Sequence, residues 1–152
     1  MNREVKIAYI GGGSKMWAWN FMKDLAQAKD MSGEVRLYDI DVPAERNRII
    51  GNKIQAKPEA VSDFTYTVCR ELSEALTGAD FVLISILPGT FKEMRSDVHA
   101  PEQYGIYQSV GDTVGPGGVL RAMRTVPIYE GFAKAIKEYC PDAWVLNLTN
   151  PM

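Results

Sequence analysis

Histidine is nearly missing from this 152-residue sequence, with His99 alone, and the two cysteines, Cys69 and Cys140, lie far apart in no Cys-x-x-Cys pair. Neither a zinc site nor a disulfide framework is therefore suggested, and both thiols read as free and buried. An excess of one charge is lacking too. Seventeen Lys and Arg against nineteen Asp and Glu give a net charge of −2. No basic run is present that could follow a phosphate backbone, which argues against a nucleic acid partner. There is no apolar leader after Met1-Asn2-Arg3 and no apolar stretch of about 18 residues, so the expectation is a soluble, cytoplasmic protein with no membrane partner.

What is present is 46% apolar side chains, enough to bury one core within the usual size of one domain, residues 1–152. The apolar residues come in short runs separated by helical stretches. That pattern predicts an α/β fold, Rossmann-like and doubly wound, with a mainly parallel sheet and helices on both faces. Strands are expected at Lys6 to Ile10, Val35 to Asp39, Phe64 to Val68, Phe81 to Leu87 and Ala143 to Leu148. Helices are expected from Trp17 to about Ala28, from Asp41-Val42-Pro43 towards Gln55 with Asp41 as cap, and over Glu71 to Leu76. Ser32-Gly33 reads as punctuation and Gln108 to Gly118 as glycine-rich loop. Phe91 to Tyr104 is a further helical candidate. Val119 to Tyr139 has helical spacing interrupted at Pro127. The chain stops at Asn150-Pro151-Met152, just beyond a strand end where α/β folds build their sites, and so reads as a fragment.

Gly11-Gly12-Gly13-Ser14 stands between the first strand and the first helix. Glycines there permit a tight turn and let backbone N–H groups approach a pyrophosphate at the positive end of a helix. Met16 occupies the place of the third glycine of the usual pattern. Asp39, at the end of the second strand, stands where a dinucleotide fold puts the carboxylate that accepts hydrogen bonds from the adenosine ribose, and an acid there favours NAD over NADP.

Residues 109–118, Ser-Val-Gly-Asp-Thr-Val-Gly-Pro-Gly-Gly, followed by Arg121, Arg124 and Pro127, resemble a signature of glycoside hydrolase family 4. Asn147-Leu148-Thr149-Asn150-Pro151 resembles the family's Asn-x-Thr-Asn-Pro segment, and the opening glycine turn matches as well, so the resemblance spans essentially the whole chain. The Gly-Asp-Thr form, rather than Gln-Glu-Thr, resembles the branch acting on unphosphorylated galacto-configured sugars. The stretch Tyr104 to Gln108 resembles α-galacturonidases.

The resemblance implies an NAD-dependent route to glycoside cleavage that departs from the usual pair of carboxylates. It implies oxidation at C3 of the sugar, removal of the C2 proton by a tyrosine, elimination of the leaving group, addition of water and return of the hydride. A divalent metal, commonly manganese, polarises the C2 and C3 oxygens. By residue, it implies that Arg95 and Asn150 contact substrate and that Asp112 supports the basicity of the tyrosine. The metal ligands and the tyrosine itself are expected beyond residue 152, and neither Cys140 nor His99 matches a ligand position. The expected partners are a small glycoside and further copies of the chain in a homo-oligomer. The competing readings are a dehydrogenase of the lactate or malate type and a non-enzymatic NAD-sensing module.

Overall fold

The computed structural model describes residues 3–40, 43–109 and 113–149. Among these residues five strands, β1 (Arg3–Ile10), β2 (Met31–Tyr38), β3 (Asp63–Cys69), β4 (Phe81–Ile84) and β5 (Trp144–Asn147), alternate with helices α1 (Met16–Ala26), α2 (Pro43–Gln55), α3 (Leu72–Leu76), α4 (Phe91–His99) and α5 (Gly115–Tyr139). Every strand pairing is parallel, in the order β3-β2-β1-β4-β5. Parallel neighbours need crossover connections, and the helices supply them. The expected Rossmann-like α/β architecture is therefore the observed one.

The central strand explains why the sheet needs cover on both sides. Successive side chains of a strand point to opposite faces, and in β1 Val5, Ile7 and Tyr9 are buried as fully as Ala8 and Ile10. Val5, Ile7 and Tyr9 share a core with Ala18, Met22 and Leu25 of α1, Val35 and Leu37 of β2, and Phe64 and Tyr66 of β3. Tyr9 meets Phe21 edge to face at 5.7 Å, the arrangement that aromatic quadrupoles favour. Each Val, Leu, Ile or Met side chain fully buried here contributes about 1.5–3 kcal/mol.

Several local expectations are corrected. Ser32-Gly33 does not break the chain but lies inside β2, where Gly33 pairs with Val5. Its φ is +145° and a Cβ there would sit 1.9 Å from the Val5 carbonyl oxygen, so this glycine marks a close approach between strands. The expected loop 108–118 yields to helix at Gly115, with Pro116 in the first turn, where its missing N–H costs nothing. α5 then runs through Pro127 to Tyr139 without ending. The run Phe91 to Tyr104 divides into α4 and a 3-10 turn over Ala100–Tyr104, since Pro101 cannot donate to a continuing α-helix. Cys69 is half-buried rather than buried, because β3 lies at the sheet margin, whereas Cys140 is buried; both are free.

The chain divides into two compact units, Met1–Ile86 with Ala135–Leu148, and Leu87–Lys134 with Thr149–Met152. All five strands and α1 to α3 belong to the first. In the second, α4 opens with a capping box: the Thr90 side chain accepts from Lys92 N–H at 3.2 Å while Glu93 accepts from Thr90 N–H at 2.7 Å. These bonds to Thr90 hold the Glu93 carboxyl below its ordinary range. Arg124 of α5 forks onto the buried Asp97 of α4, one arm at 2.9 Å. Among the described residues, no helix is long and apolar enough to cross a membrane.

Candidate functional site

β1 ends at Ile10, and the chain turns at once against the end of β2. The N–H groups of Gly11 and Gly12 both donate to the Tyr38 carbonyl, at 2.9 and 3.0 Å. Gly11 has φ +89°, and a Cβ on it would lie 1.9 Å from the Ser85 carbonyl oxygen. A Cβ on Gly12 would lie 2.9 Å from that of Leu37. Glycine is thus required by packing as well as by backbone conformation.

The turn feeds α1 in a way that suits an anion. α1 has no side-chain cap at Lys15 and no acidic residue in its first turn, so its N-terminal donors and the positive end of its dipole are not neutralised by a carboxylate of its own. Met16, in place of the third glycine, is 71% exposed. Its bulk therefore points into solvent and does not hinder the approach of α1 to the sheet.

Asp39 is the first residue past β2. Its Oδ2 accepts from Gly13 N–H at 2.8 Å, which brings the carboxylate and the glycine turn together at the carboxyl ends of β1 and β2. The sequence-predicted group Gly11, Gly12, Gly13, Ser14 and Asp39 is one cluster in space. Beneath it Tyr9 is fully buried, and burial first, then the charge of Asp39, pushes its phenol upward. The nearby Ser85 and Ser14 oxygens offset part of this without a well-aligned hydrogen bond.

Three further residues belong to the cluster and escaped the sequence reading. Asn47 of α2 is completely buried, and its Nδ2 donates to the carbonyls of Gly12 and Ser14 at 2.6 and 2.7 Å. Its Oδ1 accepts from the Trp19 indole at 2.8 Å. Arg46 donates to the Gly13 carbonyl at 2.7 Å and lies over the Trp19 ring, 5.6 Å from its centroid. A signal existed: Asn47 sits on the helical stripe Ala44, Asn47, Gly51, Ile54, whose other members are small or apolar. A polar residue and poor helix former on a core-facing stripe needs partners.

Arg95 lies exposed on α4, in the second unit, with no hydrogen bond or ion pair to the described residues. Asp112 and Asn150 lie outside the described residues, as does Asp41, the expected cap of α2. His99 pairs with Glu102 at 2.8 Å. No group of three or more His, Cys, Asp or Glu side chains converges as a metal cage among the described residues.

Residues 6–152 match the model of the family 4 glycosyl hydrolases. An alpha-galacturonidase of Thermoanaerobacterium saccharolyticum is 62% identical over 150 residues, covering 98% of this chain and 32% of that protein. A solved structure from Bacillus subtilis superposes with a TM-score of 0.88 at 51% identity, over 98% of this chain and 33% of the other. A 6-phospho-alpha-glucosidase from gut microorganisms, solved in complex with NAD and Mn2+, superposes with a TM-score of 0.79 at 25% identity, over 98% and 33%. The chain thus spans about a third of the length of the curated relatives it matches. By the match of residues 6–152, the chain belongs to the family 4 glycosyl hydrolases.

Proposed function

We propose that these residues form the dinucleotide-binding part of an NAD-dependent glycosidase that cleaves galacturonosides. The observation that carries the reading is the joint placement of the glycine turn, the uncapped N-terminus of α1 and Asp39 at adjoining strand ends. Relatives named as alpha-galacturonidases, 51–62% identical, support the sugar, and a family structure solved with NAD supports the cofactor. Membership of the family favours this reading over a dehydrogenase or an NAD sensor.

In this proposal the turn at Gly11, Gly12, Gly13 and Ser14, with the start of α1, holds the pyrophosphate. Asp39 accepts from the adenosine ribose hydroxyls and repels the extra phosphate of NADP. NAD, when bound, supplies a hydride acceptor and donor for C3 of the sugar. Arg95 pairs with the uronate carboxylate, a match that its planar fork makes well. Asn150 hydrogen-bonds the sugar, and Asp112 sustains the basicity of a tyrosine outside these residues. A divalent cation, manganese in this reading, would supply Lewis-acid polarisation of the sugar hydroxyls, held by ligands outside these residues. The assembled enzyme is proposed to be a cytoplasmic homo-oligomer.

Titration calorimetry of this chain with NAD and NADP tests the cofactor site, with tighter binding of NAD expected. In the full-length enzyme, a galacturonoside should be cleaved without net accumulation of NADH. Accumulation of NADH matching product would replace the hydrolase with a dehydrogenase. Arg95→Ala should raise KM about tenfold, the loss of roughly one charge-assisted hydrogen bond, with NAD affinity unchanged. An unchanged KM would return Arg95 to the solvated surface.

A further inference from the structure

We propose that Asn47, on α2 and outside the glycine turn, is the positioning residue that aims the turn's N–H groups, and through them sets both dinucleotide affinity and the preference for NAD. The inference rests on the cofactor reading above and goes beyond it by naming what shapes the site.

The side-chain amide has one possible orientation. An indole N–H is only a donor and a carbonyl oxygen only an acceptor, so Trp19 must face Oδ1 and the Gly12 and Ser14 carbonyls must face Nδ2. Asn47 is completely buried, and an amide left without these partners there would lose them with no water in exchange. The clamp is therefore rigid.

Peptide planarity carries its effect across the turn. In a trans peptide the C=O and the next residue's N–H point in opposite directions. Holding the Gly12 carbonyl thus aims the Gly13 N–H, the donor that fixes Asp39 at 2.8 Å. Holding the Ser14 carbonyl aims the Lys15 N–H, at the entrance to α1. Arg46 grips the intervening Gly13 carbonyl and is itself seated over Trp19. One asparagine therefore orients the group that selects the ribose and the first donor at the helix end that receives the pyrophosphate. Such supporting contacts decide whether a site is held in its productive geometry.

The test is Asn47→Asp in the 152-residue chain, which keeps the volume and removes both donated hydrogen bonds. NAD and NADP affinities are read by calorimetry, unfolding by circular dichroism, and exchange of the Gly13 and Lys15 amides by NMR. The expected result is NAD binding weakened by about tenfold or more, as for two lost hydrogen bonds of ordinary strength, with a smaller NAD-to-NADP ratio and faster exchange of both amides. A lower melting temperature with NAD affinity, cofactor ratio and amide exchange of the folded protein all unchanged would reduce Asn47 to a core residue and overturn the proposal. If Asn47→Asp does not fold, Trp19→Phe removes only the indole donor. It should then speed exchange at Gly13 and Lys15, and unchanged exchange would overturn the proposal equally. Should the wild-type chain bind neither cofactor, the dinucleotide reading fails, while the exchange data still decide whether Asn47 aims the turn.

Discussion

The two sides of the sheet are built to different standards. From β1 to β3 the strands are packed under α1 and α2, the glycine turn is tied down from three directions, and the buried residues form one contiguous core. At the other margin β5 carries Trp144, Val145 and Leu146 at 72%, 46% and 46% exposure. β5 is an apolar strand with its face in water, and among the described residues it is the outermost one. The contrast separates two uses of hydrophobic sequence. On the first side it closes a core around a preorganised turn; on the second it offers surface for something to cover.

The comparison would break most decisively at Gly11. Replacing it by alanine should cost roughly 2–6 kcal/mol, from left-handed backbone strain together with overpacking against Ser85. Urea denaturation measures this, and a loss below about 1 kcal/mol would mean that the turn is looser than its contacts indicate. Next in size is Asp39→Ala, which should erase an NAD preference of about tenfold while leaving the fold intact. Equal binding of NAD and NADP by the wild type would remove that role from Asp39.

The open margin makes the third prediction. The chain should self-associate through β5, and Trp144→Lys should weaken association about fivefold in sedimentation while changing stability by less than about 0.5 kcal/mol. A monodisperse wild-type monomer at high concentration would end the idea of an uncovered face. The smallest effect is expected at Tyr66, in the closed core. Its phenol is buried with no hydrogen-bond partner among the described residues, and burial raises its pKa. A raised folded-state value means that stability is fully present below the unfolded value, about 10, and is lost as pH rises through the folded one. Tyr66→Phe should therefore be neutral or slightly stabilising at pH 7, and should flatten the alkaline decline in melting temperature. An unaltered alkaline profile would shift that sensitivity to other groups.

Much of the closed side was legible in the sequence. Lys6 to Ile10, the glycine turn and Asp39 follow one another with the spacing that a βαβ unit demands, and local rules suffice to place them. Gly33 misled because glycine signals a turn and a close strand approach with the same letter, and only pairing with Val5 distinguishes them. α5 was cut short for a similar reason: Gly115, Pro116, Gly117 and Pro127 read as breakers, yet a proline in a first turn is harmless and an interior one need not end a long helix. Asn47 was missed because its significance lies in three partners remote in the chain, although its place on an apolar stripe was visible.

The two free thiols give each margin its own clock. Cys69 closes β3 on the packed side, half-buried; Cys140 lies just ahead of β5, buried, with its carbonyl receiving the Ala143 N–H at 3.0 Å. Burial is the leading cause that raises both pKa values, so at neutral pH each holds little thiolate and reacts with an alkylating reagent slowly. A maleimide pulse followed by mass spectrometry would then time the fluctuations of the two margins separately within a single molecule, with no label engineered in. The two free cysteines are natural reporters of how often each side of the sheet opens.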